Sequence, residues 1–142
     1  MLVYSEETFR YFLTAERRRV ERSGRCFVLL LLQLQSRQRS RPRIPRIVAA
    51  RIFSELRLCV REIDFIGWYR DRRVAAAILV CSSERDELTM LVAAANRIGT
   101  TLRERLPAPL ARRLSLRVLQ VRPKQAPDTM TVSVPSMPSN RR

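Results

Sequence analysis

The sequence predicts an α+β fold of the ferredoxin-like, split βαβ kind. It would have an antiparallel sheet with helices packed on one face, an extra N-terminal helix and a flexible C-terminal tail. Three observations lead there. Apolar segments follow one another as helix, then strand-helix-strand-strand-helix-strand. Two of the strand-like runs, 65–69 and 73–80, are separated only by Arg70, Asp71 and Arg72, a spacing that makes a hairpin. The chain has 142 residues, 46% of them hydrophobic, enough for one domain with a core of its own.

Each element has a local cause. Ser5 caps a first helix whose apolar side carries Phe9, Phe12, Leu13 and Val20, and Gly24 stops it. Residues 26–35 are short and apolar on both faces, as a central buried strand requires. Residues 36–46 form a basic loop with two prolines, and Pro45 opens the second helix. That helix presents Val48, Ile52, Leu56, Cys59, Val60 and Ile63 as one stripe. After the hairpin, Ser83 and Asp86 make a capping pair for a helix with Leu88, Leu91, Val92, Ala95, Ile98, Leu102 and Leu106 on one side. Pro107 and Pro109 end it, and 114–121 is the last strand. The domain is expected to span 1–122. Residues 123–142 read as a disordered tail in which 131–134 pair transiently.

Composition narrows the function. His is absent, which removes the usual general base, the commonest zinc ligand and the ordinary pH switch. Aromatics are 6%, a poor supply for a stacking platform, so nucleic acid is not the expected partner. The net charge is +15 and the only lysine is Lys124, so the basic residues are nearly all Arg. They occur in almost every segment, as solvated faces do; Arg17, Arg18 and Arg19 are read that way. Trp68 reads as packing on a sheet face. The cysteines Cys26, Cys59 and Cys81 are far apart in sequence and form no CxxC. Neither a zinc knuckle nor a redox pair is offered, and buried inert thiols in a reducing, cytoplasmic setting are expected. The start of the chain lacks a signal-peptide pattern, and the longest fully apolar run, 27–32, is too short for a membrane span.

One stretch has further order. Arg61-Glu-Ile-Asp64 is followed after five residues by a tight charged turn and then an apolar strand. This spacing resembles the GGDEF domains of diguanylate cyclases, in which a helix ends in RxxD and the GG(D/E)EF hairpin follows five residues later. The resemblance covers roughly 5–122. It places the signature on Arg70, Asp71, Arg72, Arg73 and Val74, and the family's metal-binding positions on Gln33 and Arg73. The family's next nucleotide-contacting positions fall on Arg37-Gln38 and Arg41-Pro42, which do not match. Side chains replace the two glycines that let the backbone approach a nucleotide. An amide and a guanidinium stand where magnesium needs anionic oxygens. The resemblance therefore implies a catalytically inactive regulatory domain with no cofactor.

What the resemblance leaves is RxxD, in that family the inhibitory site for cyclic di-GMP. It implies a receptor in which Arg61 forks onto a guanine or phosphate and Asp64 accepts from guanine N–H groups. Arg85 or Arg97 would complete the site, and the ligand would bridge the domain to a partner or a second copy. The alternatives are a ligand-free interaction or scaffold domain, in which Asp64 merely pairs with Arg61, and a basic nucleic-acid-binding domain.

Overall fold

The computed structural model describes residues 2–36, 42–81, 88–123 and 132–133. In chain order the elements are β1 (Val3–Tyr4), α1 (Glu6–Ser23), β2 (Phe27–Leu34), α2 (Arg46–Cys59), β3 (Phe65–Arg70), β4 (Val74–Val80), α3 (Leu88–Arg105), α4 (Ala108–Arg113), β5 (Leu114–Val121) and β6 (Val132–Ser133). They build one six-stranded sheet in the order β1-β3-β4-β2-β5-β6. Its four central strands have the split βαβ arrangement: β4 lies between β3 and β2, and every pairing among the four is antiparallel.

One feature of the sheet differs from expectation. It is mixed, because β1 pairs with β3 in parallel, Val3 opposite Ile66 and Tyr4 opposite Gly67. At the other edge Val132–Ser133, within the stretch expected to pair, adds to the end of β5. The Ser83–Asp86 capping pair, the loop residues 37–41 and the tail residues 124–131 and 134–142 lie outside the described residues.

The helices of the split βαβ core share one face, as expected, and the extra N-terminal helix α1 covers the other. On the first face Val28, Leu30, Leu32 and Leu34 of β2 meet Ile52 and Leu56 of α2 and Leu91, Ala95, Ile98 and Leu102 of α3. On the second face Phe9 and Val20 of α1 cluster with Phe27, Leu29, Leu31, Ala76 and Ile78. The physical reason lies in β2, a strand apolar on both sides that would leave Phe27, Leu29 and Leu31 in water without α1, at about 1.5–3 kcal/mol per exposed side chain. Ser5 and Gly24 bound α1 as expected: the Ser5 hydroxyl accepts from the Thr8 N–H, and Gly24 ends the helix at φ 76°. Gly67 lets α1 and β1 sit close, since a Cβ there would stand 2.6 Å from the Tyr4 carbonyl oxygen and 2.9 Å from Phe9.

The short helix α4 was not expected. Pro107, read as a terminator, is the N-cap of this extra turn, which leads directly into β5. Trp68 packs edge-on against Phe53 of α2 with ring centroids 5.1 Å apart, as a sheet-face residue should. Arg17, Arg18 and Arg19 are exposed on α1. Among the described residues no helix is long and apolar enough to cross a membrane.

Candidate functional site

β3 begins at Phe65, opposite Ile78. Val80, two residues further along β4, therefore has no β3 residue beside it. Asp64 and Arg61, in the turn between α2 and β3, take that place. The Asp64 carboxylate accepts from the Val80 N–H at 3.1 Å, and the Arg61 guanidinium donates to the Val80 carbonyl at 2.5 Å. Asp64 also accepts from the Arg61 backbone N–H at 2.8 Å and from Arg61 Nε and Nη2 at 3.2 and 3.1 Å. Two donors meet each carboxylate oxygen, so the four acceptor positions of the group are filled. The Asp64 side chain is 1% exposed, while that of Arg61 is 44% exposed. The RxxD pair thus continues the sheet with side chains where the strand has not yet started.

A cleft of about 260 Å³ opens beside this clasp. Arg61, Asp64 and Cys59 line it from one side, and Met90, Leu91, Ala94 and Arg97 of α3 from the other. Arg97 is exposed, so two guanidinium-bearing residues share one opening. Arg85, the other candidate for completing the site, lies outside the described residues. Burial, and after it the Glu55 carboxylate, push the Cys59 thiol above its ordinary range; Arg105 opposes them. Glu55 sits inside α2, buried, with ion-pair distances of 3.4 Å to Arg105 of α3 and 3.9 Å to Arg51. Nothing in the sequence distinguished this residue from a surface glutamate.

The turn end of the β3–β4 hairpin borders a second cleft, of about 160 Å³, on the face that α1 covers. The register sets its walls. Leu32 stands opposite Ala75, so Gln33 comes beside Val74 and the end of the hairpin. Gln33, Tyr69, Arg70 and Val74 line the cleft, joined by Arg117 from β5, a residue the sequence did not single out. The turn itself is tied down. The Asp71 N–H donates to the Glu6 carboxylate at the start of α1. The Arg73 N–H donates to the Arg70 carbonyl, and the Arg72 carbonyl accepts from the buried Ile44 N–H at 2.7 Å. Arg72 holds φ 61°, the left-handed region a side chain disfavours. Gln33 and the Arg70–Val74 turn therefore come together, and the side chains lining that cleft include no carboxylate.

The thiols depart from expectation in one respect. Cys26 and Cys81, 55 residues apart in sequence, lie with their sulfurs 3.5 Å apart. Among the described residues no three His, Cys, Asp or Glu side chains come together as metal ligands. No protein-family model matches the chain, and no curated protein matches it.

Proposed function

We propose that this chain is a catalytically inactive, GGDEF-like regulatory domain that works in the cytoplasm. The observation that carries the reading is the cleft beside the hairpin. Magnesium-dependent phosphoryl transfer needs hard anionic oxygens on the metal and an open approach for the nucleotide phosphates. The residues present do not fit that ion: an amide at Gln33 and guanidiniums at Arg70 and Arg117 line the cleft. The turn N–H of Asp71 is already engaged by Glu6. The reading rests further on the resemblance drawn from Arg61, Asp64 and the hairpin spacing.

In its sharper form the domain is a cyclic di-GMP receptor at the other cleft. Arg61 and Arg97 there supply guanidinium groups for guanine edges or phosphates, and Leu91 and Ala94 supply apolar wall. Asp64 then acts by orienting Arg61, since its own acceptor positions are taken. The same saturation favours a second reading, a ligand-free scaffold in which Arg61 and Asp64 only finish the sheet. Nucleic acid has less support, because Trp68 packs edge-on against Phe53 and is partly buried against the core.

The test is incubation with GTP and magnesium, followed by a thermal-shift series with cyclic di-GMP. The expected result is no release of pyrophosphate and a rise in unfolding temperature with the cyclic dinucleotide alone. Turnover of GTP overturns the inactive reading. No turnover and no shift at high ligand concentration leaves the scaffold reading in place of the receptor.

A further inference from the structure

The sequence offered three scattered cysteines; the fold makes two of them neighbours. Phe27 of β2 stands opposite Val80 of β4, the last pair of that ladder. One residue further along the same register, Cys26 faces Cys81. Facing residues of antiparallel strands have Cα atoms about 4.5–5.5 Å apart, inside the span a disulfide bridges. Both side chains point to the face covered by α2 and α3, where Cys81 belongs to the core and Cys26 packs against it. The sulfurs are already 3.5 Å apart. Closing them to the roughly 2.0 Å of a disulfide needs small side-chain rotations and no rearrangement of the strands.

We propose that Cys26 and Cys81 are a redox-active thiol pair that closes to an intramolecular disulfide under peroxide. The two differ in access. Cys26 is half-buried, whereas Cys81 is buried at 6% exposure. Cys26 is therefore the attacking sulfur. Its thiolate takes an oxygen from hydrogen peroxide, the O–O bond breaks, and the products are a sulfenic acid and water once the thiol proton is counted. The Cys81 sulfur then displaces hydroxide from the sulfenic sulfur, and its own proton completes a second water. Two thiols and one peroxide give one disulfide and two waters. A thiol donor such as glutathione reverses the reaction by exchange.

Cys59 is the internal control. It lies at the end of α2 and lines the Arg61 cleft. Among the described residues it also has no thiol partner facing it across a strand pair, and burial and the Glu55 carboxylate push its thiol above the ordinary range, with Arg105 opposing, so it is the less reactive sulfur. The bond would also act at a defined place. Cys81 follows Val80, the residue whose N–H and carbonyl Asp64 and Arg61 hold. A disulfide there ties the start of β2 to the end of β4 beside that clasp. This inference is independent of the cyclic di-GMP reading.

The experiment treats the reduced full chain, at low protein concentration, with hydrogen peroxide. The remaining thiols are then alkylated in denaturant, and the products are mapped by mass spectrometry. The expected result is a fall in alkylatable thiols from three to one, with Cys59 the survivor. A Cys26–Cys81 linked peptide should appear and vanish on reduction. Cys59→Ser should form the same link at the same rate, and Cys26→Ser should leave Cys81 alkylatable after treatment. Three free thiols after peroxide, over-oxidised Cys26 without a link, a bond to Cys59 or a link between chains each overturns the proposal.

Discussion

The two ends of the β3–β4 hairpin carry Arg side chains in opposite circumstances. At the open end Arg61 is paired with a buried carboxylate, and together they hydrogen-bond the main chain of Val80. At the turn end Arg70 and Arg117 line a cleft together, and no carboxylate lines it with them. The first end is a structural joint: its carboxylate is desolvated, and Arg61 and the Val80 N–H fill its acceptor positions. The second is a cleft lined by an amide and two guanidiniums, with no carboxylate among its lining side chains. Equal sequence cues, an Arg beside an Asp in both RxxD and Arg70-Asp71, thus lead to different physics. What separates them is whether a strand edge stands within reach to take up the hydrogen bonds.

The largest expected effect comes from breaking the joint. Asp64→Ala strands the Val80 N–H and leaves the half-exposed Arg61 guanidinium to water, and should lower stability by about 1–3 kcal/mol in denaturant unfolding. A loss under 1 kcal/mol would mean that water replaces the carboxylate without cost and that the joint is not structural. At the turn the sign reverses. Arg72→Gly relieves a left-handed backbone position and should stabilise by about 1 kcal/mol. A loss of similar size would show that the Arg72 side chain holds the turn. Smaller still, Arg70→Ala and Arg117→Ala should each change stability by less than about 0.5 kcal/mol, as exposed substitutions away from caps and core usually do. A larger loss from either would give that cleft a structural role.

Much of the fold was legible because its strongest signals are local. Ser5 and Gly24 bound a helix by their own side-chain and backbone chemistry, and three charged residues between two apolar runs left only a tight turn. The face that α1 covers was implicit in β2, since a strand apolar on both sides requires cover on both. β1 was not legible: two residues carry no period, and their pairing depends on the close approach that Gly67 permits. α4 was hidden because proline marks both the end of one helix and the start of the next. At the candidate sites, sequence brought Arg61 and Asp64 together because they are three residues apart. The saturation of Asp64, the arrival of Arg117 beside Gln33 and the meeting of Cys26 with Cys81 all depend on strand register, which composition does not carry.

The contrast between the two ends has one direct functional test: isothermal titration with cyclic di-GMP, with GTP as the control nucleotide. It is run on the wild type, on Arg97→Ala, on Arg61→Ala checked for retained fold, and on the Arg70→Ala, Arg117→Ala double variant. The account predicts micromolar or tighter binding that is lost in the Arg97 and Arg61 variants and kept in the double variant. Absence of heat in the wild type, or binding abolished only by the double variant, would contradict it.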